Sequence, residues 1–498
     1  MIKPFHIFAF GLSVIAALFC ISFITPEGSW NFGGLKIHIP SYINHPVPVT
    51  KKYKDISQII KFGRTLDSTV TSKSNGLSIP NNQTKGLAKD STYVALNTDS
   101  IKGLLRPLEY PKGNDTLLYP FFEELQQLPS DKKLIHILHY GDSQIEGDRI
   151  TSYLRTQFQR KFGGEGIGLF PIVATNPSSI PYNYDISGNW TKYSLLDNST
   201  KAPHNKFGVL NNYFRIGSKS GLFAKKGKIE GWINLKQANT SNINAQQFST
   251  CQIYYGFNTS PMFVELKQNK TLLDADIVPP SNKLSRLTWN FNKPEKNITI
   301  TFKTDQSPDF FGISLTGNSG IIFDNIPLRG SSGLEFIRTN HQFLSEFFKL
   351  LNVKLLIMQF GVNTVPNVTN SYGYYEKSFF KQLEFLKQAN PAMQIIVIGV
   401  SDVARNGENG FESYPNIEKI RDAQKMAAFK AGCAFWDMYE AMGGKNSMPS
   451  WVFANPPLAQ KDFVHLNPAG ARIIGEMFFR SLIGEFEKYS LNHKKTKA

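Results

Sequence analysis

Cysteine is scarce. The 498 residues hold three, Cys20, Cys251 and Cys433, far apart in the chain. That excludes a disulfide-rich scaffold and any cysteine-based zinc or iron–sulfur motif. A single Cys251–Cys433 bridge is open arithmetically, and spacing alone lends it no support. Charge is also thin, at 19% of residues, and no long run has one sign. The only dense basic stretch is the short tail at 493–497. No nucleic-acid-binding motif accompanies it. The glycine cluster Gly163, Gly164, Gly166 and Gly168 follows a helical pattern instead of a strand, so it reads as a helix stop and loop near the site and not as a dinucleotide loop. Beyond residue 24 no apolar run has the length of a bilayer span.

What is present is a globular composition, 41% hydrophobic, in a chain long enough for several domains. Lys and Arg total 55 against 39 Asp and Glu, a formal net charge of +16. A basic surface suits an anionic partner. Without a nucleic-acid motif, that partner is expected to be cell wall or membrane surface. Lys3 precedes an uncharged apolar run at residues 7–24, which Thr25, Pro26 and Glu27 end. This is the pattern of a secretory signal or an uncleaved N-terminal anchor. It implies N-terminal membrane contact and a periplasmic or cell-surface location.

The remaining chain divides by pattern. Residues 1–26 are the signal or anchor, and residues 27–116 read as a partly disordered stalk or linker, richest in Ser, Thr, Asn and Lys at 68–100. A helical apolar pattern at 117–128 opens the first globular segment. A compact apolar strand follows at 134–140, then Gly141-Asp142-Ser143, then a helix at 150–162. From 172 to 322, short alternating runs rich in aromatics and Thr predict a β-sandwich. Apolar strands at 353–360, 393–400 and 433–437 then alternate with helices at 333–351, 373–388, 417–431 and 468–489. That alternation predicts a parallel sheet covered on both faces. The expected architecture is one α/β domain, residues 117–171 and 323–490, interrupted by a β-domain at 172–322 and ending in a basic tail at 491–498.

In such sheets ligands bind outside the carboxyl ends of the strands. Ser143 leaves the first strand in a tight turn before a helix. A serine hydroxyl is a weak nucleophile and needs a base, which in turn needs a carboxylate to fix its tautomer. Asp462 and His465, three apart before the last helix, supply both. Asn363 follows the 353–360 strand. Taken singly, each of these is also an ordinary turn, cap or surface residue.

Together the blocks Gly141-Asp142-Ser143, Gly361-Val362-Asn363 and Asp462-Phe463-Val464-His465 resemble the SGNH (GDSL-like) hydrolase family, in the family's order. The resemblance implies Ser143 as nucleophile, His465 as base, Asp462 as its orienting carboxylate and Asn363 as an oxyanion donor. It also implies a glycine N–H in the oxyanion hole, for which Gly330 is the best match and Gly333 the runner-up, with the Ser143 N–H as a further donor. The string His139 to Asp148 and the position of the β-insert look like the peptidoglycan O-acetylesterase branch, with its carbohydrate-binding-like domain. Gln144, Gly443 and Trp451 are candidates to line the substrate cleft. Trp232, Tyr254 and Tyr255 of the insert could stack on sugars or serve as core. Asp148 and Arg149 read as an ion pair, and Asp402 as a loop or cap residue.

The expected function is an extracytoplasmic serine esterase that removes O-acetyl groups from peptidoglycan or another cell-surface polysaccharide, with no cofactor and no metal. The same triad would serve a polysaccharide O-acetyltransferase working beside a membrane-bound O-acyltransferase. A non-catalytic carbohydrate-binding protein is the third reading.

Overall fold

The computed structural model describes residues 10–17, 20, 29–32, 35–38, 53–74, 103–174, 182–197, 199–217, 228–237, 247–292 and 297–495. The chain forms two compact units. The small one is Met1–Tyr53 with Asn406–Phe411, and the large one is Lys54–Arg405 with Glu412–Ala498. In the small unit, Ser29–Phe32 pairs antiparallel with Leu35–His38. Among the described residues no helix is long and apolar enough to cross a membrane. Much of the apolar run at 7–24 lies outside the described residues.

The large unit is built on five parallel strands: β1 (Leu134–Gly141), β2 (Gly320–Pro327), β3 (Val353–Gln359), β4 (Gln394–Ile398) and β5 (Ala434–Trp436). Their order is β2-β1-β3-β4-β5, and every neighbouring pair is parallel. These strands are largely apolar because both faces are covered, with His136 and His139 of β1 and Asp324 of β2 as buried polar exceptions. The helices are α1 (Ser57–Ser74), α2 (Tyr119–Asp131), α3 (Thr151–Phe162), α4 (His341–Leu351), α5 (Gly373–Ala389), α6 (Ile417–Lys430), α7 (Ser447–Phe453) and α8 (Pro468–Lys495). Leu138, Tyr140, Leu356, Met358, Ile395 and Val397 share one core with Phe347 of α4, Phe379 and Leu383 of α5 and Ile420 of α6. Residues of opposite parity face α3 and α8. His139 bonds Thr151, and Phe158 packs its ring on Phe323 and Phe479.

Between α3 and β2 the chain makes two antiparallel sheets, of five and six strands, packed over a core that includes Ile233, Ile253, Ile300 and Phe302. This is the expected β-sandwich. Gly168–Phe170 already pairs with Asp309–Thr316 of the insert, and Gly320–Pro327 lies wholly in the parallel sheet as β2. The crossing points therefore fall a few residues before 172 and 322. The glycine cluster sits at this junction and not at the site. A Cβ on Gly164 would lie 2.3 Å from the Ile321 carbonyl oxygen, on Gly166 2.1 Å from that of Leu315, and on Gly168 2.2 Å from an Asp324 carboxylate oxygen.

Two expectations are corrected, and one open possibility is closed. Residues 54–66 are no stalk: Ile56, Ile59, Phe62 and Leu66 are buried, and Gly63 lies against Ile473 of α8. That apolar stripe recurs at helical spacing within a polar stretch. Glu109 exchanges both backbone hydrogen bonds with Phe435 at 2.8 and 2.9 Å, so the segment before α2 covers the β5 edge. Residues 75–102 lie outside the described residues. The helix expected from 333 begins only at His341, because Asn340 caps it by accepting from the Phe343 N–H at 2.8 Å. Only a 3-10 turn at Phe336–Arg338 precedes it. Cys251 and Cys433 are both free and buried, with no bridge.

The docking of α1 is testable. Phe62→Ala is expected to cost about 3–5 kcal/mol, the usual range for emptying a buried phenylalanine site. Thermal unfolding of the full chain would show a clear drop in Tm, whereas a stalk residue would show none.

Candidate active site

β1 delivers the turn that carries Ser143, the candidate nucleophile. Gly141 ends the strand where a Cβ would come within 2.9 Å of the Gln359 carbonyl oxygen, so the turn lies close against β3. Asp142 follows, and its carboxylate is fully buried. One oxygen accepts from the Gln144 N–H at 3.0 Å, and the other from the Val362 N–H at 3.3 Å. Burial pushes this carboxyl up to about 7, against the pull of the backbone N–H groups of Gln144, Val362 and Gly361.

Ser143 sits in this turn. Its Oγ lies 2.7 Å from His465 Nε2, and His465 Nδ1 lies 2.7 Å from Asp462 Oδ2. The other oxygen of Asp462 accepts from the backbone N–H groups of Val464 and His465, both at 3.0 Å. Burial raises the Asp462 carboxyl, but these hydrogen bonds and the His465 ring outweigh it and hold it below its ordinary value. The tight turn needs Phe463 at a positive φ of 60°. Burial of its ring against Phe453 offsets that strain. Asn467 caps α8 through the Gly470 N–H at 3.0 Å, with Pro468 at the first helical position.

The oxyanion candidates face one another on two loops. Leu328 to Ser331 forms a turn closed by a 3.0 Å hydrogen bond, and Gly330 holds the positive-φ position within it, at 80°. Among the described residues no acceptor takes the Gly330 N–H. The Gly333 N–H is already bound to Ser331 Oγ at 2.8 Å, which removes the runner-up as a donor. Asn363 spends one Nδ2 hydrogen on the Ser331 carbonyl at 2.8 Å, and its neighbour Thr364 bonds Ser332 Oγ at 3.2 Å. The two loops are thus tied together, and the second Nδ2 hydrogen of Asn363 is left for a ligand.

Two of the three cleft candidates are placed elsewhere. Gln144 is 1% exposed and lines no cleft. Its Nε2 donates to the Val464 carbonyl at 2.6 Å and to Ser401 Oγ at 3.0 Å, and its Oε1 accepts from the Leu466 N–H at 3.4 Å. It grips the chain on both sides of His465. Trp451 is fully buried and donates to the Met442 carbonyl at 2.9 Å, because a loop indole buries its ring in the core. Gly443 packs toward Lys54, Ile56 and Ser447 in a positive-φ turn. Asp148 pairs with Arg155 at 2.5 Å and not with Arg149. Arg149 instead donates to the Ser143 carbonyl, behind the nucleophile. Asp402 caps α7 through the Met448 N–H at 2.7 Å. Tyr254 and Tyr255 are buried, and Trp232 is half-buried.

No family model matches the chain, and no curated protein matches it. Among solved structures it is similar to a peptidoglycan O-acetylesterase, with 20% identity, a TM-score of 0.60, and coverage of 78% of this chain and 100% of that one. It has the fold of an SGNH hydrolase with an inserted β-domain. A family two carbohydrate esterase from Cellvibrio japonicus matches at 7% identity over 61% of this chain and 99% of that one, with a TM-score of 0.24. A salicylyl-acyltransferase from a tetracycline biosynthetic pathway matches at 9% identity over 64% and 97%, with a TM-score of 0.27.

Two outcomes follow from this SGNH geometry. Gln144→Ala frees the peptides flanking His465 without touching the triad. Labelling of Ser143 by a serine-directed fluorophosphonate, followed by mass spectrometry, is expected to slow about 10²-fold, the scale of a 1 Å misplacement. For Asp142, the folded carboxyl titrates at about 7, above its unfolded value. The native state therefore binds the proton more tightly, and this group's contribution to stability falls as pH rises toward 7. Asp142→Asn cannot ionise. Wild type should lose Tm relative to Asp142→Asn between about pH 4 and 7, and the gap should then level off.

Proposed function

We propose that the protein is a serine esterase that removes O-acetyl groups from peptidoglycan or another cell-surface polysaccharide. The observation that carries this reading is the unbroken chain Ser143 Oγ–His465–Asp462, with both links at 2.7 Å. The fold likeness to a peptidoglycan O-acetylesterase supports it. The charged N-terminus and apolar run at 7–24 support an extracytoplasmic location with membrane contact.

The reaction is acyl transfer in two steps. Ser143 Oγ attacks the ester carbonyl carbon while His465 Nε2 takes the hydroxyl proton. Asp462 holds the Nδ1 proton and stabilises the imidazolium. The carbonyl oxygen becomes an oxyanion held by the N–H groups of Ser143 and Gly330 and the Asn363 side chain. The sugar oxygen leaves with the proton from His465, and the acetyl group stays on Ser143. Water then attacks the acetyl-serine, giving its proton to His465. Acetate departs as His465 returns that proton to Ser143 Oγ. Arg149, bound to the Ser143 carbonyl, holds the turn while this charge develops. A transferase would use the same groups with a sugar hydroxyl in place of water.

Acetate release from 4-nitrophenyl acetate and from acetylated peptidoglycan tests the proposal. Wild type should act on both, and Ser143→Ala on neither. Asn363→Ala should lose about 10²- to 10³-fold in kcat, as for an oxyanion donor. Equal rates for wild type and Ser143→Ala would overturn the assignment, and transfer to an added glycan without acetate release would favour the transferase.

A further inference from the structure

A cavity of about 320 Å³ lies where the parallel sheet meets the β-insert. That volume is in the range of small-molecule sites. One wall is Glu146, Gly147 and Asp148, which directly follow the nucleophile turn. The Glu146 N–H donates to the Ser143 carbonyl at 3.3 Å. The opposite wall is Lys192, Ser194 and Asn212 from two strands of the insert. Arg329, next to Gly330, also lines it. The cavity therefore borders the segments next to Ser143 and Gly330, although neither residue lines it.

The lining chemistry narrows the occupant. Leu169, Leu196, Leu210 and Ile326 give an apolar surface. Three cations, Arg155, Lys192 and Arg329, are balanced by three carboxylates, Glu146, Asp148 and Asp197. Arg155 pairs with Asp148 at 2.5 Å, and Arg329 with Glu146 at 3.5 Å. An anionic occupant would set itself against those carboxylates. A long acyl chain would press hydrocarbon on six charged groups, which is costly. A pyranose ring meets both demands, with C–H faces for the leucines and hydroxyls for the charged rim. Of the insert's stacking candidates, Tyr254 and Tyr255 are buried and Trp232 is half-buried.

We propose that this cavity is a subsite for a neutral sugar ring, a hexose or N-acetylhexosamine unit of the polysaccharide whose ester Ser143 attacks. The assignment rests on the esterase reading above and gives the β-insert one wall of the substrate site.

Calorimetry with the full chain tests it. Chitotetraose is the neutral probe and tetragalacturonate the anionic one, against wild type, Ser194→Trp and Lys192→Ala. Wild type should bind chitotetraose at least tenfold more tightly than tetragalacturonate. Ser194→Trp, which fills the cavity, should weaken chitotetraose at least tenfold, and Lys192→Ala about fivefold. In parallel, each variant should lower kcat/KM for acetylated peptidoglycan at least fivefold more than kcat/KM for 4-nitrophenyl acetate. Should Ser194→Trp fail to fold, Lys192→Ala carries the test. Chitotetraose affinity and the polymer-to-ester ratio both unchanged in the variants would overturn the subsite, as would a preference for the anionic probe. Cavity-dependent chitotetraose binding without any acetate release would leave the subsite standing and overturn the esterase reading instead.

Discussion

The buried carboxylate of Asp142 is the tie on which the site's geometry depends. Removing a carboxylate from water is expensive, and it is tolerated only where donors converge on it. Here the donors are backbone N–H groups from two separate loops, Gln144 beside the nucleophile and Val362 beside Asn363. One side chain thereby ties the turn that carries Ser143 to the loop that carries Asn363. Hydrogen-bond donors fixed before the reaction need no reorganisation during it, which is where their value lies. Gln144 does the same for the base, holding the peptides on either side of His465.

The β-insert is fixed to this frame by a second buried carboxylate. Asp324 of β2 accepts from the Leu169 N–H at 2.6 Å and pairs with His136 of β1 at 2.7 Å. Leu169 belongs to the short strand that joins the insert's six-stranded sheet. The three glycines at 164, 166 and 168 let the chain pass against backbone and carboxylate where no side chain would fit. Sheet and insert therefore meet through a close-packed seam, and the cavity between them has two walls of defined shape. A site supported on both sides in this way can select by fit.

The sheet was readable in the sequence, as were Ser143, Asp462 and His465, which the structure brings together. Strands buried on both faces are largely apolar runs, so β1, β3 and β4 stand out, and Ser143, Asp462 and His465 are chemically distinctive at their places along the chain. What stayed hidden depends on long-range packing. The apolar stripe of α1 is short, and long-range contacts such as that with Ile473 make it part of the body. Gln144 is polar and adjacent to the nucleophile, which points equally to substrate contact and to a buried brace. Its partners Ser401, Val464 and Leu466 are some 250 to 320 residues away, beyond any local pattern. Trp451 failed as a cleft residue for a related reason. A loop's position near the site does not say which of its side chains turn inward.

The two carboxylates of the site divide their work by environment. Asp462 stands 43% exposed with its oxygens bonded to two backbone N–H groups and an imidazole, and it stays ionised well into acid. Asp142 has no solvent, and burial brings its titration to about 7. Acidification therefore protonates the brace before it protonates the triad's aspartate. A protonated Asp142 offers weaker acceptors to the Gln144 and Val362 N–H groups while the Asp462–His465 bond persists. The groups that aim the reaction are thus more sensitive to pH than the group that orients the base, because one carboxylate sits in the core and the other at the rim.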